Sequence, residues 1–294
     1  MKDKKFLLYL GCTIPTKQYA YEISVRAVLP KLGIELVEFE GASCCGFPLK
    51  GIDRKAWIYM SARVLALAGQ YKLPILVLCN GCDVSLRETK HFLDKYPELK
   101  NEISGMLKEE GLELNNKVNI VHTIEILHDI IGVEKIKASI VKPLSNLKIA
   151  SYPGCHALRP TEIPRPEDAV NPVKIDNIIR ALGAETEDYP DKRGCCGATM
   201  LPYSPESAIK TSAAKIRIMK DYGFDAAVTS CPYCMEMLDV KQDVAKNLLE
   251  DEEISLPIFY LTQLVGLSMG LKPDELGLNL NMSPVEDILE RLEV

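Results

Sequence analysis

The chain has 294 residues, enough for one large domain or two medium ones, and a hydrophobic content of 47% supplies a proper core. Its 41 acidic and 35 basic residues give a net charge of -6. That balance argues against general nucleic-acid binding and confines any anionic ligand to a local basic patch.

Residues 6–10 form a continuous apolar run of strand length ending at Gly11-Cys12, which places the first cysteine in the loop after a buried strand. Leu10-Gly11-Cys12 imitates a lipoprotein cleavage site, but the run is too short for a secretory segment. A helix is expected over about 19–32. Asp53 is a candidate N-cap for the next helix, whose apolar face runs through Trp57, Met60, Val64 and Leu67. Residues 75–78 read as a short buried strand that delivers Cys79 and Cys82 to a helix start, where the backbone dipole favours thiolates. Charged, helix-prone sequence fills 86–110, and a strand at 119–121 with a helix at 123–131 closes the first half. Residues 134–146 look like the join.

The pattern then restarts. Residues 148–152 are the strand leading to Gly154-Cys155. Leu182-Gly183-Ala184-Glu185 mirrors Leu32-Gly33-Ile34-Glu35. Ser204 and Pro205 open a helix as N-cap and first-turn proline, with Ile209, Ala213 and Ile216 on its buried face. Residues 226–229 are the strand before Cys231, and 258–259 with 262–265 repeat the strand and helix at 120–127. The uncharged run 254–271 is interrupted by Pro257, Gln263, Gly266 and Gly270, so it reads as a buried strand followed by a helix rather than a membrane span. Ser283 to Glu286 form a capping box for a last helix with Ile288, Leu289 and Leu292 on one face. Strands alternating with helices, twice over, predict an α/β fold of two pseudo-twofold-related Rossmann-like lobes with mostly parallel sheets, over residues 1–143 and 144–294.

All ten cysteines fall into this repeat: Cys12, Cys44-Cys45-Gly46 and Cys79-Asn80-Gly81-Cys82, then Cys155, Cys195-Cys196-Gly197 and Cys231-Pro232-Tyr233-Cys234. A chain of this length with no export signal is expected to be cytoplasmic and to keep its thiols reduced, free for metal binding or redox chemistry. Zinc takes four ligands, usually as two close pairs, and fits five thiols with an adjacent pair badly. A cluster of several irons fits better, because neighbouring cysteines can each hold a different iron; four thiolates are usual, so a fifth implies an unusual cluster or a spare thiol. The glycine after each pair is expected to let backbone approach inorganic sulfide. Cys231 to Cys234 taken alone has the form of a dithiol redox motif, but each such pair comes with three more cysteines that a dithiol would not need. Buried small apolar packing is the bland alternative for any single cysteine.

These motifs resemble the cysteine-rich CCG-domain family over nearly the whole chain. Residues 32–45, with Glu40-Gly41-Ala42-Ser43-Cys44-Cys45, are most similar within it to the catalytic subunits of methanogen-type heterodisulfide reductase. The resemblance implies two noncubane 4Fe-4S clusters. Cys12, Cys44, Cys45, Cys79 and Cys82 would hold one, and Cys155, Cys195, Cys196, Cys231 and Cys234 the other. It implies a disulfide oxidoreductase whose substrate is the mixed disulfide of coenzyme M and coenzyme B. Electrons would come from a small ferredoxin-like subunit, itself fed by a flavin-containing subunit, with no nucleic acid and no direct membrane insertion. The alternatives are another CCG-domain electron-transfer subunit, as in lactate, glycerol-3-phosphate or succinate oxidation, and a zinc-stabilised structural module.

His156, next to Cys155, is a candidate proton donor to product thiolates, its bland counterpart being a histidine that bonds cluster sulfur. Arg159, Arg165, Lys192 and Arg193 are candidate holders of the substrate's anions, Lys192 and Arg193 preceding the second Cys-Cys-Gly, with Lys50 and Arg54 following the first. His91, His122 and His128 read as structural or exposed, His122 pairing in the repeat with Tyr260.

Overall fold

In the computed structural model, which describes residues 4–115 and 117–293, the apolar runs form two sheets. Residues 1–3, 116 and 294, included in the expected domain bounds, lie outside the described residues. The first sheet runs in the order β2-β1-β3-β4, with β1 Lys4–Tyr9, β2 Ile34–Glu38, β3 Ile75–Val77 and β4 Ile120–His122. The second runs β5-β6-β7, with β5 Ile149–Tyr152, β6 Ala226–Thr229 and β7 Ile258–Tyr260. All these strand pairs are parallel. The second sheet therefore repeats β1, β3 and β4 of the first, and its strands are buried along their whole length, as parallel strands covered on both faces must be.

The missing fourth strand has a chemical reason. Lys148 and Glu185 make one isolated parallel bridge where β1 and β2 make a ladder. In the first half the edge reads Ile34-Glu35-Leu36-Val37-Glu38, with branched residues suited to a strand. Its counterpart reads Glu185-Thr186-Glu187-Asp188-Tyr189-Pro190, in which crowded carboxylates and a proline disfavour a ladder.

The helices follow their caps, with two corrections. Asp53 accepts a 3.0 Å bond from the Ala56 amide and opens the helix Arg54–Tyr71, which buries Trp57 and Val64 as expected, with Ile58, Ala62 and Leu65 beside them. Ser204 precedes the helix Pro205–Asp221, but its hydroxyl bonds that of Ser207 at 2.7 Å instead of capping an amide. Ser283 forms no capping box either. It is buried, donates to Asp239 and accepts from the Ile258 amide at 2.9 Å, so it ties the last helix, Glu286–Arg291, to β7. The 254–271 run resolves into β7 and the helix Leu261–Ser268, and among the described residues no helix is long and apolar enough to cross a membrane.

The two halves share one core. Helix Tyr19–Val28 of the first lies along helix Leu261–Ser268 of the second, and Val25, Val28, Leu264 and Val265 belong to a single buried apolar cluster spanning both sheets. The rings of Tyr21 and Tyr260 stack at 4.1 Å, while the hydroxyls of Ser24 and Thr262 meet at 2.7 Å. Polar groups pair wherever the seam would otherwise desolvate them.

His122 ends β4, as Tyr260 ends β7, and is fully buried. Its Nδ1 accepts the Ile124 amide at 3.2 Å, which leaves Nε2 without a partner. Burial pulls its pKa down to about 4, with Asp83 and Cys231 opposing and Arg87 and Arg165 reinforcing the shift. The unfolded chain therefore binds a proton that the folded chain refuses between the ordinary histidine value and about 4. This share of stability is whole above that window and is lost as pH falls through it, up to on the order of 3 kcal/mol. Urea unfolding should show the loss, and His122→Gln, which retains a cap acceptor, should flatten it.

Candidate functional site

The central strands deliver the thiols. β1 runs into Gly11-Cys12, β3 into Cys79, β5 into Gly154-Cys155 and β6 into Cys231. All four stand at carboxyl ends of parallel strands, where ligands of open α/β sheets collect. Cys79 and Cys231 are the N-caps of the helices Asn80–Lys95 and Pro232–Met235, so Cys82 and Cys234 sit in the first turns.

The Cys-Cys-Gly segments come in from the side. Their glycines turn the position of a Cβ toward a helix and their amides toward the thiols. A Cβ on Gly46 would stand 3.0 Å from the Trp57 carbonyl, and one on Gly197 2.9 Å from that of Ala208, so each lets its loop lie against a helix. Both adopt positive φ, 78° and 89°, which suits glycine. Their amides donate to the first sulfur of each pair, 3.4 Å to Cys44 and 3.3 Å to Cys195. The glycines that do lie against thiols precede them. A Cβ at Gly11 would meet Cys82 Sγ at 2.9 Å, and one at Gly154 would meet Cys234 Sγ at 3.0 Å.

The ten sulfurs form an unbroken string. Cys12 meets Cys44 at 3.6 Å, and the contacts continue through Cys45, Cys82 and Cys79. Cys79 neighbours Cys231 of the other half, from which the string runs through Cys234, Cys196 and Cys195 to Cys155. Cys12 and Cys195 are exposed, and the members nearest the middle are buried.

Neighbouring thiols cannot all ionise unaided. Hydrogen bonds from Cys155 and then Cys196 pull Cys195 down to about 2, while its bond to Cys195 pushes Cys196 up to about 12. Bonds from Cys44 and Cys82 hold Cys45 low, and Cys12 is raised by Cys44 and by burial. A full set of thiolates needs positive charge among them, which fits a group containing several metal ions. Among the described residues, no three His, Cys, Asp or Glu side chains are grouped for one ion. Five soft sulfur donors on each side suit iron-sulfur clusters.

The halves are fastened beside the string. Asn80 Nδ2 donates to the Pro153 carbonyl at 2.8 Å. Arg165, which sequence reasoning offers to substrate anions, is instead buried in an ion pair with Asp83 at 2.7 Å, the two side chains being 4% and 0% exposed. It also donates to the carbonyl of His156, and Asp83 takes a second bond from Arg87 at 2.8 Å. Lys192 is likewise buried, 2.7 Å from Asp176. Arg159 is exposed and reaches the Arg193 carbonyl at 3.4 Å, and Arg193 reaches the Val170 carbonyl at 3.2 Å. None of these four lines the hollows at the thiols. Arg54 stacks on Phe92 at 4.5 Å, away from the site, and of the six candidate cations Lys50 alone lines the space between the halves.

His156 does reach the site. Its Nδ1 lies 3.8 Å from Cys155 Sγ and its ring meets Phe47 edge-on at 5.0 Å. Burial lowers its pKa, with the thiols Cys231 and Cys195 opposing the shift. His128 pairs with Asp129 at 2.7 Å, and His91 packs edge-on against Phe92 at 5.8 Å.

Phe47 and Tyr233 are the residues that spacing alone underrates. Both wall the hollow bounded by Cys12, Cys44, Cys45, Cys79 and Cys82, and both wall that of Cys155, Cys195, Cys196, Cys231 and Cys234. They also line a cleft of about 490 Å³ between the two, together with Pro48, Lys50, Thr199 and Tyr203. That volume is typical of a small-molecule site.

The model of a family described as a cysteine-rich domain matches residues 6–87 and 149–239, one copy in each half. The chain is 35% identical, over 94% of its length and 93% of the relative, to a ferredoxin:CoB-CoM heterodisulfide reductase subunit of Methanosarcina mazei. It is 34% identical, over 95% of its length and 97% of the relative, to the 8-methylmenaquinol:fumarate reductase membrane anchor subunit of Wolinella succinogenes. A crystal structure of a hypothetical protein from Helicobacter pylori superposes with a TM-score of 0.78 at 17% identity, over 98% of this chain and 53% of that one, and shares the fold.

Removing one member of a buried ion pair strands its partner. Asp83→Ala should therefore cost about 3–5 kcal/mol in urea unfolding, and the double variant Asp83→Leu, Arg165→Met should recover most of it.

Proposed function

The chain belongs to the cysteine-rich domain family, and on that footing we propose that it is the subunit of a multisubunit reductase in which the mixed disulfide of coenzyme M and coenzyme B is cleaved to two thiols. One observation carries this reading. Two five-thiol hollows lie beside a single cleft and share Phe47 and Tyr233 with it as walls, which suits one guest addressing both. Each hollow would hold a noncubane 4Fe-4S cluster, through Cys12, Cys44, Cys45, Cys79 and Cys82 on one side and Cys155, Cys195, Cys196, Cys231 and Cys234 on the other. Such clusters, when bound, pass electrons one at a time, and two of them match the two electrons that one sulfur-sulfur bond consumes along with two protons.

The protein's own groups have separate tasks. The Gly46 and Gly197 amides stabilise charge on the first sulfur of each pair. Phe47 and Tyr233 keep water from the buried thiols at the middle of the string. His156, beside Cys155 and in the wall of the second hollow, is the side chain positioned to hand a proton to a departing sulfur. Electrons would enter from a small ferredoxin-like subunit, fed in turn by a flavin-containing one.

The relative from Wolinella succinogenes supports a second reading, in which the same hollows serve electron transfer in another oxidoreductase. Anaerobic iron and sulfide analysis with electron paramagnetic resonance separates the two. Two clusters per chain, both changing signal when the mixed disulfide is added, are expected. Clusters that load but ignore the disulfide would leave only the electron-transfer reading.

Two variants probe the assignments. Gly11→Ala, strained at φ 67° and driving a Cβ against Cys82, should lose about half the iron per chain while the second site loads. His156→Gln should keep the full iron content and slow turnover roughly ten- to a hundredfold. Unchanged turnover would remove His156 from proton transfer.

A further inference from the structure

The repeat is broken at its two Cys-x-x-Cys turns. Asn80 and Asp83, which follow Cys79 and Cys82, stand where the second half has Pro232 and Met235, side chains that neither donate a hydrogen bond nor carry a charge. Both polar residues reach across the seam. Asn80 Nδ2 donates to the Pro153 carbonyl at 2.8 Å, and Asp83 pairs at 2.7 Å with Arg165, whose guanidinium also donates to the His156 carbonyl. The two carbonyls so held lie on either side of Cys155.

Cys155 depends on such help. It opens a helix of only four residues, Cys155–Leu158, too short to persist on its own hydrogen bonds, behind Gly154 at φ 79°. Gly154 makes room for the fastening, since a Cβ there would stand 2.6 Å from Asn80 Nδ2. The counterpart turn after Cys12 is held locally instead. Thr16 Oγ1 donates to the Cys12 carbonyl at 2.7 Å, and the Lys17 amide donates to the Thr13 carbonyl at 2.9 Å. The fastening therefore runs from the first half's turn to the second half's thiol segment, with no mirror image.

We propose that the two thiol sets fill cooperatively, with Asn80 and the Asp83–Arg165 pair passing order from the Cys79–Cys82 turn to the Cys155 segment. This rests on the reading that each set holds an iron-sulfur cluster. Once Cys79 and Cys82 are held by metal, the first turn of their helix is fixed, and with it the side chains that grip Pro153 and His156. Less freedom then remains for the Cys155 segment to lose when the second set fills. Linkage makes the effect mutual, so a filled second set steadies the first by the same factor. Arg165 lines neither hollow and is a positioning residue, acting through the carbonyl beside Cys155. Coupling of roughly tenfold is typical of linked sites, and it still lets one set load alone at saturating iron.

The test reads cluster content and not turnover. The protein, loaded anaerobically with ferrous iron and sulfide, is placed in excess iron chelator, and native mass spectrometry counts chains with two, one or no clusters over time. Chains with two or none should predominate, because a chain with one cluster loses it roughly tenfold faster than a chain with two. Two controls keep one set each, Cys44→Ala with Cys45→Ala and Cys195→Ala with Cys196→Ala. Each should shed its remaining cluster at that faster rate. In Asp83→Leu with Arg165→Met, and further with Asn80→Ala added, one-cluster chains should accumulate as for independent sites. A merely structural weakening would instead speed both losses and leave one-cluster chains rare. That result, or wild-type loss equal to the sum of the two single-set decays, overturns the inference while leaving two clusters in place. If either set of the wild type takes up no iron, the preceding reading fails and this one with it.

Discussion

The structure turns on the place where the Cys-x-x-Cys turns of the two halves abut, with Asn80 bonded to the Pro153 carbonyl and Gly81 against the Tyr233 ring. Without that contact the protein would have two separate thiol sets; with it, there is one string. The contact requires two helix N-termini to approach tip to tip, each carrying orphan amides and the positive end of a dipole. Their mutual repulsion is offset by thiol charge in the middle and by fastenings on either side. Asn80 satisfies the Pro153 carbonyl, and Asp83 meets Arg165 in a site from which water is excluded.

Much of this is legible in the residues. Apolar runs with glycine or cysteine soon after them locate β1, β3, β5 and β6 within a residue or two, because a strand covered on both faces has no polar alternation to blur it, whereas the half-exposed edge strand β2 was not expected. The doubled cysteine pattern predicts two sets of five thiols, and the structure gathers those same ten. Basic residues are harder to read. Arg165 and Lys192 lie next to cysteine segments in sequence, where a ligand's anions are the obvious partners, yet each is consumed by a buried carboxylate, Asp83 and Asp176, that only tertiary structure brings near. The glycines after the cysteine pairs act on two sides: a Cβ there would meet a helix backbone, while their amides bond the first thiol of each pair. Phe47 and Tyr233 have no periodic signal, since each acts on both halves at once.

Duplication here preserves the donor set and varies everything around it. Both halves keep five sulfurs, a positive-φ glycine behind the first thiol, and an amide bonded to the first sulfur of the pair. The groups that would meet a guest are unequal, with an imidazole on one side and a hydroxyl on the other, and an aromatic ring opposite a bare backbone. A symmetrical frame thereby gains a direction.

The common core has an evolutionary consequence. Because Val25 and Val28 of one copy share a cluster with Leu264 and Val265 of the other, neither copy has to be stable alone. Pooled stability tolerates a weaker member, and the second copy has a single bridge at Lys148 and Glu185 where the first has an edge strand. Such dependence is irreversible in practice. Once the weaker copy has come to depend on its neighbour, the fused gene can no longer be split back into two independent ones.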